Sequence, residues 1–254
     1  MEKLNVKKLI LVSMPIVFAV ALAVILAACM AQAERSTEDG LFDPPKTQGG
    51  VGDTLSPTVS STYLLEYRRV GGGKCEVSGP GSFKGGNLVI PAKSPDGDTV
   101  VGIGDSAFLG VASLKSAELP TSIGYIGAYA FYGSSLEAVE LPDGVDEIGE
   151  CAFSNCRALT RIDVGSGNAS YTDMDGVLYS RDKSEIVCYP SGRANSSFTV
   201  RAGVSVIHKM AFYGCAALRS VNYNGTEEAW SKVKIGVNND SLTSLTVKFS
   251  NSDK

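Results

Sequence analysis

The sequence contains a single histidine, His208, among 254 residues. Catalysis by acid–base, nucleophilic or metal chemistry normally needs several such groups held together. His208 lies in the segment Ile207-His-Lys-Met-Ala-Phe212, without an evident serine, cysteine or metal-ligand partner. We therefore expect a structural or solvated histidine, and a protein that is not an enzyme.

Positive charge is also scarce. The 23 lysines and arginines are outnumbered by 27 aspartates and glutamates, which gives a net charge of −4 at pH 7. Nucleic acids and anionic lipid head groups are gathered by a basic field, which this composition does not supply. Nucleic acid is therefore excluded as an expected partner.

The number of cysteines argues against a complete disulfide framework. Of the six, Cys29 belongs to a processing motif considered below, and an odd number then remains. Those five are Cys75, Cys151, Cys156, Cys188 and Cys215. Cys151 and Cys156 alone lack the two further ligands that a zinc site needs.

A calcium loop is equally incomplete. Asp173-Met-Asp175-Gly176 has two of its acidic positions but lacks the third ligand and the bidentate glutamate. The segment is more typical of the turn at the entry to a hairpin. The sequence predicts neither a metal site nor a cofactor.

The amino terminus has the pattern of an export signal over residues 1–28. Lys3, Lys7 and Lys8 precede 20 uncharged and mostly apolar residues, from 9 to 28. The run ends in Leu26-Ala27-Ala28-Cys29, which resembles the lipobox of bacterial lipoprotein signals. That resemblance implies cleavage before Cys29, attachment of lipid to its sulfur, and anchoring in a membrane.

Two other outcomes stay open at this point. Ala31-Gln-Ala33 fits an ordinary secretory cleavage site, and residues 9–28 are just long enough to span a bilayer uncleaved. All three place the rest of the chain outside the cytoplasm. Residues 29–61, rich in Ser, Gly, Pro, Asp and Thr, are predicted to be a flexible tether.

The remaining residues, 62–250, repeat themselves. Three copies of I-G-x-x-A-F follow one another at spacings of 23 and 22 residues, namely Ile103-Gly-Asp-Ser-Ala-Phe108, Ile126-Gly-Ala-Tyr-Ala-Phe131 and Ile148-Gly-Glu-Cys-Ala-Phe153. A second pattern, L-x-x-V-x-L-P, predicts a strand with one buried face in each repeat. Six such strands end near residues 90, 119, 141, 164, 200 and 223, and a seventh is predicted at 245–249. Such periods are typical of a solenoid of mostly parallel strands and short helical turns.

The repeat also predicts the interior. Phe108, Phe131, Phe153 and Phe212 recur at one offset and should stack along the axis of the solenoid. The glycines that follow each repeat isoleucine, such as Gly104, should mark a tight or left-handed step of the backbone.

Alternation along the strands turns the other side chains outward. We predict a binding surface made of Ser116, Glu118, Ala138, Glu140, Arg161, Asp163, Thr199, Ser220 and Asn222. Glu118, Glu140 and Asp163 form an acidic row within it, beside Arg161. An ordinary solvated face is the alternative interpretation, because side chains that point away from a core are mostly polar.

These repeats resemble the BspA-like, Treponema-type leucine-rich repeats. The resemblance implies an opening hairpin at 63–69 with 74–78, an inserted hairpin at 176–179 with 185–189, and a closing helix at 224–230, with Thr226 as its N-cap. It also implies a cell-surface protein that adheres to an extracellular protein or glycan through a concave repeat surface. A scaffolding lipoprotein of the cell envelope is the second hypothesis, and an enzyme using carboxylates of the strand face is the third and weakest.

Overall fold

A computed structural model of the chain describes residues 65–250. The predicted signal segment, the tether and Cys29 lie outside the described residues. Within them the chain is a β-solenoid, as predicted. Each regular coil consists of a front strand with the L-x-x-V-x-L pattern, a turn, a short rear strand ending at the repeat isoleucine, and the turn that contains Ala-Phe.

The front strands form two parallel sheets, and they end within one residue of their predicted ends. The front N-terminal sheet contains β3 (Gly86–Val89), β5 (Leu114–Glu118), β7 (Ala138–Leu141) and β9 (Arg161–Val164), in that order. The front C-terminal sheet contains β13 (Ser197–Val200), β15 (Ser220–Tyr223) and β17 (Val247–Phe249). Proline follows Leu119 and Leu141, where it cannot extend the ladder of hydrogen bonds.

The rear strands also form two sheets. The rear N-terminal sheet has the order β1 (Glu66–Gly71), β2 (Lys74–Gly79), β4 (Thr99–Ile103), β6 (Tyr125–Ile126) and β8 (Glu147–Ile148). The rear C-terminal sheet has the order β10 (Tyr171–Met174), β11 (Val177–Ser180), β12 (Glu185–Cys188), β14 (Val206–Ile207) and β16 (Lys234–Ile235).

Both hairpins expected from the resemblance are present, and the inserted one has an extra strand. Strands β1 and β2 pair antiparallel, as do β11 and β12. Strand β10, which the sequence did not predict, pairs antiparallel with β11 from Tyr171 opposite Ser180 to Met174 opposite Val177. The insertion is therefore a three-stranded meander whose last strand, β12, pairs parallel with β14 and returns the chain to the solenoid.

The predicted aromatic stack exists. The rings of Phe108 and Phe131 are 5.3 Å apart and nearly parallel, and those of Phe131 and Phe153 are 5.4 Å apart. After the insertion the stack resumes with Tyr189, whose ring lies 5.0 Å from that of Phe212. Tyr189 takes the repeat phenylalanine position, because its N–H donates to Ala211 O just as Phe131 N–H donates to Ala152 O.

The inserted meander separates two hydrophobic clusters. The N-terminal cluster includes Phe131 and the C-terminal cluster includes Phe212. Side chains of β11 alternate between them, since Leu178 belongs to the first cluster and Val177 and Tyr179 belong to the second. The insertion thus contributes one face to each half of the core.

The left-handed step of each turn is not at the glycine, which corrects the expectation. It falls two residues later, at Ser106 (φ 58°), Tyr129 (φ 56°), Cys151 (φ 58°) and Met210 (φ 56°). The glycine is needed for close approach between coils instead. A Cβ on Gly127 would lie 2.6 Å from the backbone nitrogen of Asp105 in the preceding coil.

The expected helix is present but does not end the solenoid. Helix α1 (Glu227–Ser231) is capped by the Thr226 hydroxyl, which accepts from Ala229 N–H, and Trp230 packs 5.2 Å from the Tyr223 ring. The chain then continues through β16, helix α2 (Asp240–Thr243) and β17. In residues 65–250, no helix combines the length and the apolar character needed to cross a membrane.

Candidate binding surface

The front N-terminal sheet brings six of the predicted surface residues into two adjacent rows. Ser116 pairs with Ala138, and Ala138 pairs with Arg161. Glu140 pairs with Asp163, and the same register places Glu118 level with Glu140. We call this set of six the acidic patch: Ser116, Glu118, Ala138, Glu140, Arg161 and Asp163.

Charge in the acidic patch is only partly compensated. Arg161 and Asp163, two residues apart on β9, form an ion pair of 2.6 Å. Glu118 and Glu140 are exposed, and neither makes a side-chain ion pair or hydrogen bond with any residue between 65 and 250. Their neighbours Ser116 and Ala138 are small, so the two carboxylates are accessible to a ligand. They also stand open to water and lack the enclosed environment that a pair of catalytic acids needs, which disfavours the carboxylate enzyme.

The front C-terminal sheet carries the other predicted residues. Ser197 pairs with Ser220, Thr199 with Asn222, and Asn222 with Lys248. The Asn222 amide donates to Ser197 Oγ at 3.2 Å and to Thr199 Oγ1 at 3.4 Å. Ser197 and Lys248 were missed by the sequence analysis, although the outward alternation of their strands would have found both. Neutral amide and hydroxyl groups, with one lysine, distinguish this sheet from the acidic patch.

The nine predicted residues do not form one uninterrupted surface. The tip of the inserted meander lies along the free edge of β9, where Ile162 N–H donates to Gly176 O at 2.9 Å and Val164 N–H donates to Asp173 Oδ1 at 3.2 Å. These contacts occupy the groups that a following front strand would use. The strand face is therefore divided between Asp163 and Thr199.

The meander tip is a tight turn, as the sequence favoured. Asp175 (φ 52°) and Gly176 (φ 73°) are both left-handed, which is the geometry of a two-residue type I′ hairpin. Both carboxylate oxygens of Asp173 accept backbone N–H groups, from Val164 and from Gly176. Across residues 65–250, no three His, Cys, Asp or Glu side chains are grouped to hold a metal ion.

A cleft of about 470 Å³ opens beside this tip, between β9 and residues 192–195. Arg193 is its best-fixed charge: its side chain is 10% exposed, it pairs with Asp175 at 2.6 Å, and its guanidinium lies 5.5 Å from the Tyr189 ring centre. Arg161 and Asp163 line the same cleft. The end of the acidic patch is therefore continuous with a polar recess.

His208 and the cysteines take structural positions. His208 Nε2 lies 2.7 Å from Glu185 Oε2 on the neighbouring rear strand. The five described cysteines are free and buried. Burial raises the pKa of the Cys151 thiol and raises that of Cys215 to about 12, so these thiols stay protonated near neutral pH. The equivalent residues Cys156 and Cys215 both direct their thiols to backbone carbonyls, those of Phe131 and Tyr189.

Comparison with known proteins gives the following likenesses. The sequence model of a family described as "BspA type Leucine rich repeat region" matches residues 87–176 and 187–248, in six copies. A crystal structure of a leucine rich cell surface protein from Faecalibacterium prausnitzii is 31% identical, with a TM-score of 0.53, over 65% of this chain and 41% of that one. Curated proteins give no match.

Two further solved structures are similar. A leucine-rich repeat protein from Eubacterium ventriosum is 23% identical over 59% of this chain and 46% of that one, with a TM-score of 0.48. The leucine rich repeat protein of T. pallidum is 25% identical over 72% of this chain and 82% of that one, with a TM-score of 0.45. The chain thus spans less than half of the F. prausnitzii and E. ventriosum structures.

Proposed function

The chain belongs to the family of proteins with BspA type leucine-rich repeats, and on that premise we propose that it is a non-enzymatic binding protein on the outside of a bacterial cell. The cell-surface description of the similar F. prausnitzii protein supports this location. So does the export pattern of residues 1–28, with Cys29 as the proposed lipid attachment site that would tie the protein to the membrane.

The acidic patch is the proposed binding surface, and one observation carries it. Glu118 and Glu140 are exposed in one row, are flanked by small side chains, and have no partner among residues 65–250. Unpaired carboxylates on neighbouring strands give a ligand two acceptors whose strands lie about 4.8 Å apart. They suit the basic side chains of an extracellular protein, or the hydroxyl groups of a glycan.

The test reverses the charge of the patch and of a matched control. The patch variant is Glu118→Lys, Glu140→Lys and Asp163→Lys, and the control reverses three exposed acids outside the patch, Asp146, Glu147 and Glu227. Both change the net charge equally. Binding to a panel of immobilised matrix proteins and to a glycan array is then measured with the full chain.

We expect the patch variant to lose at least tenfold in affinity for whatever the wild type binds, with an unchanged melting temperature, because exposed charges contribute little to stability. The control should bind like the wild type. Undiminished binding by the patch variant would refute the assignment, and equal loss in both variants would show only a general effect of charge.

Anchoring and exposure have their own tests. Mass spectrometry of the mature protein should find an acylated Cys29 at the N-terminus, and Cys29→Ser should release the protein into the medium. An unmodified terminus at Glu34 would instead show ordinary secretion. Protease added to intact cells should remove the repeat domain, whereas a scaffolding protein inside the envelope would resist it.

A further inference from the structure

The Ala-Phe turns of successive coils are joined by backbone hydrogen bonds that all run in one direction. In the turn at residues 126–132, Tyr129 N–H donates to Glu150 O at 2.9 Å and Phe131 N–H donates to Ala152 O at 2.8 Å. The turn at residues 104–110 donates to its successor in the same way. Each turn therefore presents its N–H groups to the following coil and its carbonyl groups to the preceding one.

The turn at residues 148–155 breaks this pattern. The N–H groups of Cys151 and Phe153 stand at the donating positions, but they face no acceptor within the described range 65–250. The cause lies in the next coil, which passes from Ile186 to Tyr189 in three residues, whereas Ile207 to Phe212 takes five. That coil is too short to form a turn opposite Cys151.

The two residues that carry these donors are buried, since Cys151 and Phe153 are 7% and 2% exposed. A buried N–H without an acceptor is unfavourable, and nearly all such groups in proteins have a partner. Cys151 is also the left-handed residue of its turn. A left-handed residue within a turn is the geometry of backbone nests, which gather N–H groups into concave anion sites.

The short coil opens a cleft of about 270 Å³ onto this turn. Its lining includes Cys151 and Phe153, together with His208 and Lys209. Lys209 Nζ lies 3.0 Å from Glu150 Oε2, and Glu150 is the one carboxylate in the lining. Because the Glu150 side chain is 67% exposed, it can turn into solvent at little cost and release the ammonium group.

We propose that this cleft binds the oxyanion of a small molecule, a carboxylate or phosphate group. The N–H groups of Cys151 and Phe153 donate to its oxygens, and Lys209 supplies the opposite charge. The site lies among the Ala-Phe turns and shares no residue with the acidic patch, so it adds a second, chemically opposite binding site to the protein. A cleft of about 270 Å³ cannot admit a folded domain, and its size suits a small molecule.

The experiment titrates the ¹⁵N-labelled full chain with sodium phosphate, and separately with sodium acetate, at an ionic strength held constant with sodium chloride. The amide signals of Cys151 and Phe153 should shift and saturate with at least one of the two salts. Saturation by phosphate alone or by acetate alone identifies the group that the site prefers. Absence of saturable shifts at both amides with both salts overturns the proposal.

Two lysine variants complete the test. Lys209→Gln should weaken the saturating titration about tenfold, because it removes a charged hydrogen-bond donor. Lys232→Gln is the matched control, since Lys232 forms a similar surface pair with Glu228 at 2.7 Å and does not line the cleft. An effect of Lys232→Gln equal to that of Lys209→Gln, or none from Lys209→Gln, would show that the lysine in the cleft is not part of the site.

Discussion

Phe131 offers a quantitative test of the stacked core. Its ring is fully buried between two others, Phe108 at 5.3 Å with an interplanar angle of 7°, and Phe153 at 5.4 Å with an angle of 4°. Phe131→Ala would leave a cavity of ring size between two coils that are held in register by their hydrogen bonds. The walls of that cavity cannot close without breaking the ladder.

The magnitude follows from those neighbours. Truncation of a buried phenylalanine lowers the free energy of unfolding by about 3–5 kcal/mol. An aromatic pair contributes about 0.5–1.5 kcal/mol beyond the burial of its area. Phe131 loses two stacked pairs, so we expect about 5 kcal/mol. Phe108 has one such pair and should lose about 3–4 kcal/mol. Phe249, half-buried in the last coil with its ring 6.5 Å from Tyr223, should lose about 1–2 kcal/mol.

The measurement is the free energy of unfolding in urea, followed by circular dichroism, for the three alanine variants and for Phe131→Leu. The leucine variant keeps most of the volume and should cost less than about 2 kcal/mol. We expect the losses to fall in the order Phe131, Phe108, Phe249. A loss below about 1 kcal/mol for Phe131→Ala, or an equal loss at Phe249, would refute the reasoning that the rings form one continuous stack.

Three other changes have defined outcomes. Gly127→Ala should lower the free energy of unfolding by about 1–3 kcal/mol, because its Cβ would lie 2.6 Å from the Asp105 backbone. Gly124→Ala is the control in the same urea assay and should be nearly neutral, because its Cβ would lie 3.7 Å from the nearest atom. Asn168→Ala should cost about 3 kcal/mol, since the fully buried amide makes four hydrogen bonds to backbone groups, while Asn224→Ala at an exposed site should not change the urea midpoint. Burial raises the pKa of the Cys215 thiol from 9.0 to about 12. The stability contributed by the protonated thiol is therefore complete below pH 9 and is lost as the pH rises toward 12. Cys215→Ala should reduce the decline of the urea midpoint at alkaline pH.

The regular coils were predictable because their side chains repeat at fixed offsets. Alternation of buried and outward residues sets the register of a strand, so the front strands and the rows of the acidic patch followed directly from L-x-x-V-x-L. Rear strands such as Tyr125–Ile126 were not predicted, because two residues are too few to show a period. The left-handed residue of each turn could not be predicted either, because its position is occupied by Ser, Tyr, Cys or Met in different coils.

The short coil from Ile186 to Tyr189 could not be predicted from the sequence for a different reason. Tyr189 lies three residues after its isoleucine instead of five, so it matches no offset of the pattern even though it continues the aromatic stack. The length of the inserted meander does not determine where its tip packs against the solenoid. The contacts of Gly176 and Asp173 with β9, which divide the predicted surface, depend on tertiary packing that a single sequence does not encode in its period.

The meander between the two hydrophobic clusters has a consequence for how the protein melts. In an array of like coils, cooperativity passes from each unit to the next through shared contacts, and it weakens where those contacts change. Leu178 belongs to one cluster while Val177 and Tyr179 belong to the other, so the boundary runs through a single strand. Hydrogen exchange should therefore resolve two blocks of different protection that meet at this strand, and either half should open while its neighbour keeps its structure.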